Sequence, residues 1–280
     1  MEPEWTAALG AAAILGLVAG SFLNMVAHRL PIMLDRHWRE GCREHLDGET
    51  GGAPPASRFN LAVPGSHCPH CRRPLGALEN IPLLGYLWLR GRCRGCGTRI
   101  PPRYPLLEIA CASSAVAAVA VLGPNLHAAV VAVVGWTLLA LAVIDLEHLL
   151  LPDVLTLPLL WAGLVWAAAS PHGPAPESAI IGAAAGYLAL WAVGQLFRWR
   201  TGRDGMGYGD YKLTAALGAW IGWTALPALV LMAAVAGLVA AMAPLLAGHP
   251  PSRKIPFGPF LAGAGWLLLL AHEPFTAWYL

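Results

Sequence analysis

Long apolar runs separated by shorter polar ones make up most of the chain. The first, Thr6–Val26, has the roughly 20 residues that a helix needs to cross a bilayer, and His28, Arg29 and Pro31 are expected to end it. The stretch from Pro31 to Arg103 is polar, with too little apolar periodicity for a large core, and cannot lie in the membrane. Its first part, Ile32–Ala56, mixes charges, Gly and Pro without a period and is expected to contain an irregular or mobile portion. Apolar segments then follow closely at Leu106–Leu122, Ala128–Ile144, Val154–Ala169 and Ala179–Phe197. Leu213–Gly248 lies between two basic clusters, so it must cross an even number of times, and two short helices turning near Gly222–Pro227 satisfy this. A last segment covers Phe257–Ala271. The pattern predicts an all-α polytopic membrane protein with about eight transmembrane helices. Its expected parts are a first helix over 1–30, a polar domain over 31–104 and a multi-helix membrane domain over 105–280.

Composition agrees, since 57% hydrophobic against 12% charged residues is far from the balance of a soluble domain. The net charge of +2 says little, but its distribution says more. Twelve of the 18 Lys and Arg lie between Arg29 and Arg103, and the others fall at Arg198–Lys212 and Arg253–Lys254. Because basic loops stay in the cytoplasm, these three regions are expected inside, and the turns at Gly123–His127 and Pro171–Ser178, which have no Lys or Arg, outside. Both chain ends are then expected outside. The Met1–Trp5 flank lacks the basic residues of a secretory signal, which predicts a retained first helix.

Within the polar domain, Cys68/Cys71 and Cys93/Cys96 form two Cys-x2-Cys pairs with 21 residues between them. That is the spacing of a tetrathiolate zinc site, one structural ion per chain, with Pro69, Gly95 and Gly97 permitting the tight turns. The alternative is a pair of disulfides, disfavoured because so basic a loop faces the reducing cytosol. His67 and His70 flank the first pair and are candidates to replace a sulfur; Cys42 and Cys111 fit no pair, and Cys111 reads as a packing residue.

Two carboxylates sit at the ends of apolar runs on the predicted inner side: Asp145 in LAVIDLEHLLLPD and Asp210 in GMGYGDYK. A carboxylate at a membrane boundary is costly enough to imply a role. Two that share a proton can divide the work of peptide hydrolysis, one as base for a water and the other as acid toward the carbonyl. Gly205, Gly207 and Gly209 then read as a substrate loop that leaves room for an extended peptide beside Asp210. The plainer alternative makes Asp210 the N-cap of the following helix. Among other acids, Asp153 reads as a helix N-cap, Asp204 as a solvated loop residue, Glu108 as a buried polar contact, and Glu147 as a loop acid able to attract a basic substrate. Trp136, Trp161, Trp166 and Trp220 read as core or interface anchors.

The sequence resembles the bacterial type IV prepilin leader peptidase and N-methyltransferase family over nearly its whole length. The resemblance runs through GLVAGSFLNMVAHRLP (Gly16–Pro31), FNLAVPGSHCPHC (Phe59–Cys71), ENIPLLGYLWLRGRCRGCGTRIPPRYPLLE (Glu79–Glu108), DLEHLLLPDVLTLPLLW (Asp145–Trp161), GMGYGDYKLTAALGAW (Gly205–Trp220) and IPFGPFLAGAGW (Ile255–Trp266). It departs at Gly85, where a small polar residue is usual, and over Ile32–Ala56, which has no counterpart. The resemblance implies catalytic Asp145 and Asp210 and zinc ligands Cys68, Cys71, Cys93 and Cys96. It also implies a multi-pass protein of the bacterial inner membrane, with zinc loop and active site facing the cytoplasm. Such an enzyme cleaves the basic leader from type IV prepilins and type II secretion pseudopilins after a glycine, then methylates the new N-terminal residue with S-adenosylmethionine. No G-x-G-x-x-G follows a predicted strand, so the sequence does not locate the methyl donor. The partners expected are pilin-like substrates and the lipid bilayer, and no nucleic acid.

Two other classes stand beside this one. A proton-coupled transporter would spread its carboxylates through the depth of the bilayer, whereas Asp145 and Asp210 are predicted at one face. A non-catalytic assembly factor would process prepilin equally well, or not at all, with either Asp replaced.

Overall fold

A computed structural model describes residues 3–47, 59–246 and 255–271. Regular structure there is helical: α1 (Pro3–Asp47), α2 (Leu84–Trp88), α3 (Arg103–Leu122), α4 (Leu126–His148), α5 (Asp153–Ala169), α6 (Pro176–Thr201), α7 (Tyr208–Ile221), α8 (Leu226–Leu246) and α9 (Gly258–Leu270). Four of them, within Glu4–Arg43, Arg103–Leu122, Leu126–His148 and Pro176–Thr201, are long and apolar enough to cross a membrane. Asp153–Ala169, Leu226–Met242 and Gly258–Leu270 are apolar but shorter. The chain divides into two compact units, Met1–Ala117 and Ala118–Leu280.

In the first unit α1 does not stop at Pro31 as the sequence suggested but runs on to Asp47. At 1.5 Å per residue its 45 residues extend about 67 Å. Of the stretch Ile32–Ala56, expected to contain an irregular portion, the part to residue 47 is helical, and the remainder lies outside the described residues. A helix whose surface is polar all round shows no apolar stripe to read. Its exposed part carries an i,i+4 pair, Arg39 to Asp35 at 2.9 Å. Lower down, α1 meets α3 through Gly16 and Gly20, where added Cβ atoms would run into the backbone at Ala112 and Glu108. Small residues at i and i+4 let two apolar helices approach closely, and Asn24 Nδ2 donates across the contact to the Tyr104 carbonyl at 3.0 Å.

Arg29 was expected to end the first helix. Instead it is buried, and its guanidinium donates to the carbonyls of Asn60 (3.0 Å), Leu61 (3.1 Å), Pro64 (2.6 Å) and Gly65 (3.5 Å). One side chain thereby fastens the strand-free segment after residue 59 to α1, its charge met by carbonyl dipoles rather than by an acid.

In the second unit α7 is central. All its residues from Asp210 to Ile221 except Lys212 are buried, and it packs against α5, α6 and α9. At 14 residues, about 21 Å, it is shorter than a bilayer core is thick. The α6–α7 contact is glycine on glycine: a Cβ on Gly182 would strike the Gly218 carbonyl oxygen, and one on Gly218 the Gly182 carbonyl oxygen. One turn on, a Cβ on Gly186 would lie 2.8 Å from the Thr214 carbonyl oxygen. On the α5 side Trp220 is buried and donates from Nε1 to the Leu159 carbonyl at 2.8 Å, beside Gly163. The two short helices expected between residues 213 and 248 are α7 and α8, turning at 222–225.

Candidate functional site

The four paired cysteines of the first unit converge. Cys68, Cys71, Cys93 and Cys96 place their sulfurs within 4.8 Å of one another, and all are free thiols. Each pair is carried by the same local turn. The Cys68 amide donates to the Arg73 carbonyl and the Arg72 amide to the Cys68 carbonyl, both at 2.9 Å. In the second pair the Cys93 amide donates to the Thr98 carbonyl and the Gly97 amide to the Cys93 carbonyl, also at 2.9 Å. In both turns the residue after the second Cys is left-handed, Arg72 at φ 60° and Gly97 at φ 71°. That conformation suits the glycine and leaves the arginine strained by about 1 kcal/mol or more.

The sulfur positions test the cluster against a metal. A tetrahedral ion with Zn–S bonds of about 2.3 Å sets neighbouring sulfurs roughly 3.8 Å apart. Cys68 and Cys96 are 3.8 Å apart and Cys71 and Cys93 3.9 Å. The set fits one tetrahedral cation. The Thr98 hydroxyl beside Cys96 Sγ, helped by the Thr98 amide, holds that thiol down to about 6, favouring the thiolate that a metal requires. The first turn is braced by Glu79. It accepts from Arg73 at 2.8 and 3.1 Å and from the Gly76 amide at 3.0 Å, and these donors hold its carboxyl below the usual range. Among the described residues the converging groups are the four cysteines: His67, a candidate substitute, turns its Nδ1 to the Gly65 carbonyl at 2.8 Å, and neither it nor His70 joins the cluster.

The second unit gathers the two aspartates. Asp145 lies in the last turn of α4, which closes on a left-handed Leu149 whose amide donates to the Asp145 carbonyl. Its carboxylate reaches across to α9 and accepts from the Gly258 amide at 3.0 Å, at the first residue of that helix. Asp210 lies in the first turn of α7, where its amide donates to the Gly207 carbonyl at 3.2 Å. Each carboxylate thus faces the positive end of a helix dipole, an arrangement that offsets part of the cost of burial. That cost is large, since Asp145 is only 6% exposed and Asp210 9%. Leu151, also buried, packs beside both: its side chain lies where a Cβ on Gly209, next to Asp210, or on Gly258, the donor to Asp145, would have to go. The two acids lie close enough to interact electrostatically.

The glycines named from sequence take distinct places. Gly207 is the N-cap of α7, which leaves Asp210 inside the helix and not at its cap. Gly209 is already helical and abuts Leu151, while Gly205 lies against the Phe197 ring. Asp153, expected as an N-cap, is instead the first residue of α5 behind an N-cap at Pro152. It is spoken for by Lys212, whose Nζ donates to both carboxylate oxygens at 2.7 Å. Asp204 is a solvated loop residue as expected, with Arg198 3.5 Å away. Glu108 is a buried polar contact as expected, accepting from the Leu83 amide at 2.7 Å. Sequence reasoning missed Gly258 and Leu151. The first stands in IPFGPFLAGAGW, whose Gly-Pro at a helix start was a signal for a close approach; the second carried no signal of its own.

Comparison with known proteins places these sites in a shared framework. The family profile described as the bacterial peptidase A24 N-terminal domain matches residues 14–122, and that of the type IV leader peptidase family matches residues 132–242. The cysteine turns fall within the first span and both aspartates within the second. A protein of Aeromonas salmonicida (strain A449) named prepilin leader peptidase/N-methyltransferase is 48% identical over 268 residues, covering 95% of this chain and 92% of its own. Proteins of the same name from Aeromonas hydrophila and Pseudomonas aeruginosa are 49% and 44% identical over 270 residues, covering 95% of this chain and 92% and 91% of their own. No solved structure matches. Similarity at this level along nearly the full length of chain and relatives, with both profiles in the same order, means that the chain belongs to the type IV leader peptidase family.

Proposed function

We propose that this protein is an aspartic endopeptidase that removes the basic leader from type IV prepilins and type II secretion pseudopilins, and then N-methylates the residue exposed by the cut. The observation that carries the cleavage reading is the convergence of two buried carboxylates, Asp145 and Asp210, beside Leu151. Buried acids that face each other cannot both hold a full charge at low cost. One serves as the base that takes a proton from water, and its partner, protonated, donates a hydrogen bond to the carbonyl of the scissile bond. The Gly258 amide fixes the orientation of Asp145, and Gly207 at the start of α7 keeps a side chain from standing against the Asp210 carboxylate, since a Cβ there would lie 3.6 Å from Asp210 Oδ2.

We read the eight helices other than α2 as the expected crossings, four of them long and apolar enough to span a membrane, with the cysteine turns and both aspartates on the cytoplasmic side of the inner membrane. The cysteine cluster holds one structural zinc, since four thiolates leave no position for a reacting water. S-adenosylmethionine supplies an electrophilic methyl group to the new amine. Among the described residues there is no strand and so no dinucleotide-type cradle for it. The polar segment of the first unit is its expected neighbourhood, where a cleft of about 390 Å³ is lined by Phe22, Met25, Ser66 and Asn80 among others, a size within the usual range for small ligands.

The test is incubation of the purified protein with a prepilin and labelled S-adenosylmethionine, read by product mass. Loss of the leader mass together with gain of one labelled methyl is the expected result. Normal processing by Asp145→Asn or Asp210→Asn protein would remove the aspartic mechanism, and a cleaved but never methylated product would remove the second activity.

A further inference from the structure

The cysteine-bearing segment of the first unit carries a face unlike the rest of a polar domain. In α2 the side chains of Leu84, Leu87 and Trp88, spaced i, i+3 and i+4, lie on one side and are 62%, 60% and 66% exposed. Exposed Leu78 and Ile81 extend this face along the preceding turn. On the opposite side Gly85 is buried, and a Cβ there would collide with the Glu79 carbonyl oxygen, so the turn is anchored on one side and apolar on the other. An apolar patch of this size on a small polar fold marks an interaction surface.

What covers it follows from the depth at which it is held. The Leu83 amide, at the entry to α2, donates to Glu108 Oε2 at 2.7 Å, and Glu108 is only five residues into α3, about 7.5 Å along a helix long and apolar enough to span a bilayer. Asn80 and Pro82, just before α2, line the same cleft as Val18 and Phe22, which lie in the apolar part of α1 and are themselves exposed. The turn is thus fixed to two spans near the level where they enter the hydrocarbon. Beyond the apolar face follow Arg90, Arg92, Arg94 and Arg99, all exposed, a positive fringe suited to anionic headgroups. Trp88 at the edge of the face is the residue type favoured at the headgroup boundary.

We infer that residues 78–88 form a monotopic membrane anchor, with the α2 face lying in the interfacial layer of the same bilayer that α1 and α3 cross. The metal turns then rest against the membrane surface, where a freshly cut membrane helix presents its amine, and do not swing free in the cytosol. This inference rests on the reading of α1 and α3 as spans, and its test separates the two. The full-length protein, cysteines untouched, is placed in nanodiscs of phosphatidylethanolamine and phosphatidylglycerol. A nitroxide is clicked onto p-azidophenylalanine introduced in place of Leu87, of Leu15 on the exposed apolar face of α1, or of Glu40 on its exposed distal part. The ratio of collisions with dissolved oxygen to collisions with a water-soluble nickel chelate reports depth. At Leu87 it should approach the value at Leu15 and exceed that at Glu40 several-fold. A Leu87 ratio equal to that at Glu40, with Leu15 high, overturns the anchor alone and places the face in water. Protection of Leu87 from both reagents also overturns it, since protein then covers the face. A low ratio at Leu15 itself would overturn the span reading and the anchor with it.

Discussion

The two units gather their reactive side chains in opposite ways. In the first, four thiols are assembled by chain-local geometry: two near-identical turns, each closed by its own amide–carbonyl bonds, bring their sulfurs together. In the second, Asp145 and Asp210 come from different helices, and their meeting depends on α4, α5, α7 and α9 packing at the right depth around Leu151. A locally built site tolerates changes elsewhere in the fold; a site built by packing inherits every error in helix spacing. The contrast fits the proposed roles, a structural metal on the one hand and a pair of buried acids on the other.

The largest expected effect bears on where the chemistry resides. Asp145→Asn or Asp210→Asn, each preserving shape while removing the acid, should lower prepilin cleavage by about 100- to 10,000-fold, with metal content and helicity unchanged in the purified protein. Cleavage at near normal rate by either variant would leave the second unit without its assigned role.

Packing is probed next. Gly218→Leu forces a side chain against the Gly182 carbonyl, and overpacking of this kind costs about 1–3 kcal/mol or more. A lowered Tm of the detergent-solubilised protein and loss of most cleavage are expected, while metal analysis still finds the cation on the first unit. Loss of metal in this variant would show that the two sites are not built independently.

A smaller displacement is available at Gly258, where an added Cβ would lie 2.6 Å from Asp145 Oδ2. Gly258→Ala should shift that carboxylate and reduce kcat by about tenfold, the equivalent of the 1–3 kcal/mol that a misfitted methyl costs, with little change in KM. An unaltered rate would mean that the Gly258 amide does not position the acid.

Replacing Cys68 and Cys93 together by Ser should remove the metal and open the segment between residues 59 and 100 to protease, with only a partial loss of leader cleavage. Retention of metal would refute the tetrathiolate site. The smallest effect is expected from Asp153→Asn, which breaks the pair with Lys212. Both side chains are well exposed, so the contribution is about 0.2–1 kcal/mol, and prepilin processing should stay close to normal.

The cysteine cluster was legible because everything that shapes it lies within a few residues: the Cys-x2-Cys spacing, the glycine after Cys96 and the tight turn it permits. The apolar segments were legible because the length and composition that bilayer crossing demands are properties of a continuous stretch. The pairing of Asp145 with Asp210 was foreseen only as a shared side of the membrane, from charge placement. The extent of α1 was not legible, since a helix lying in water has no apolar period to read and Pro31 resembled a stop. Nor was Gly182, although the spacing Gly182–Gly186 in GAAAG announced a close helix contact without naming the helix it would meet.

The sequence by itself determined the helical, largely apolar architecture, the four cysteines that converge and the two acids proposed to carry the chemistry. Only the tertiary structure decided that Gly258, 113 positions from Asp145, would hold that carboxylate, that Leu151 would pack beside the acids, and that Lys212 would occupy Asp153. Contacts of this range depend on which helix faces meet, and apolar faces as uniform as those of α4, α7 and α9 carry no periodic mark of their neighbour. The choice is made by shape, where glycines allow two backbones to touch and bulkier residues do not.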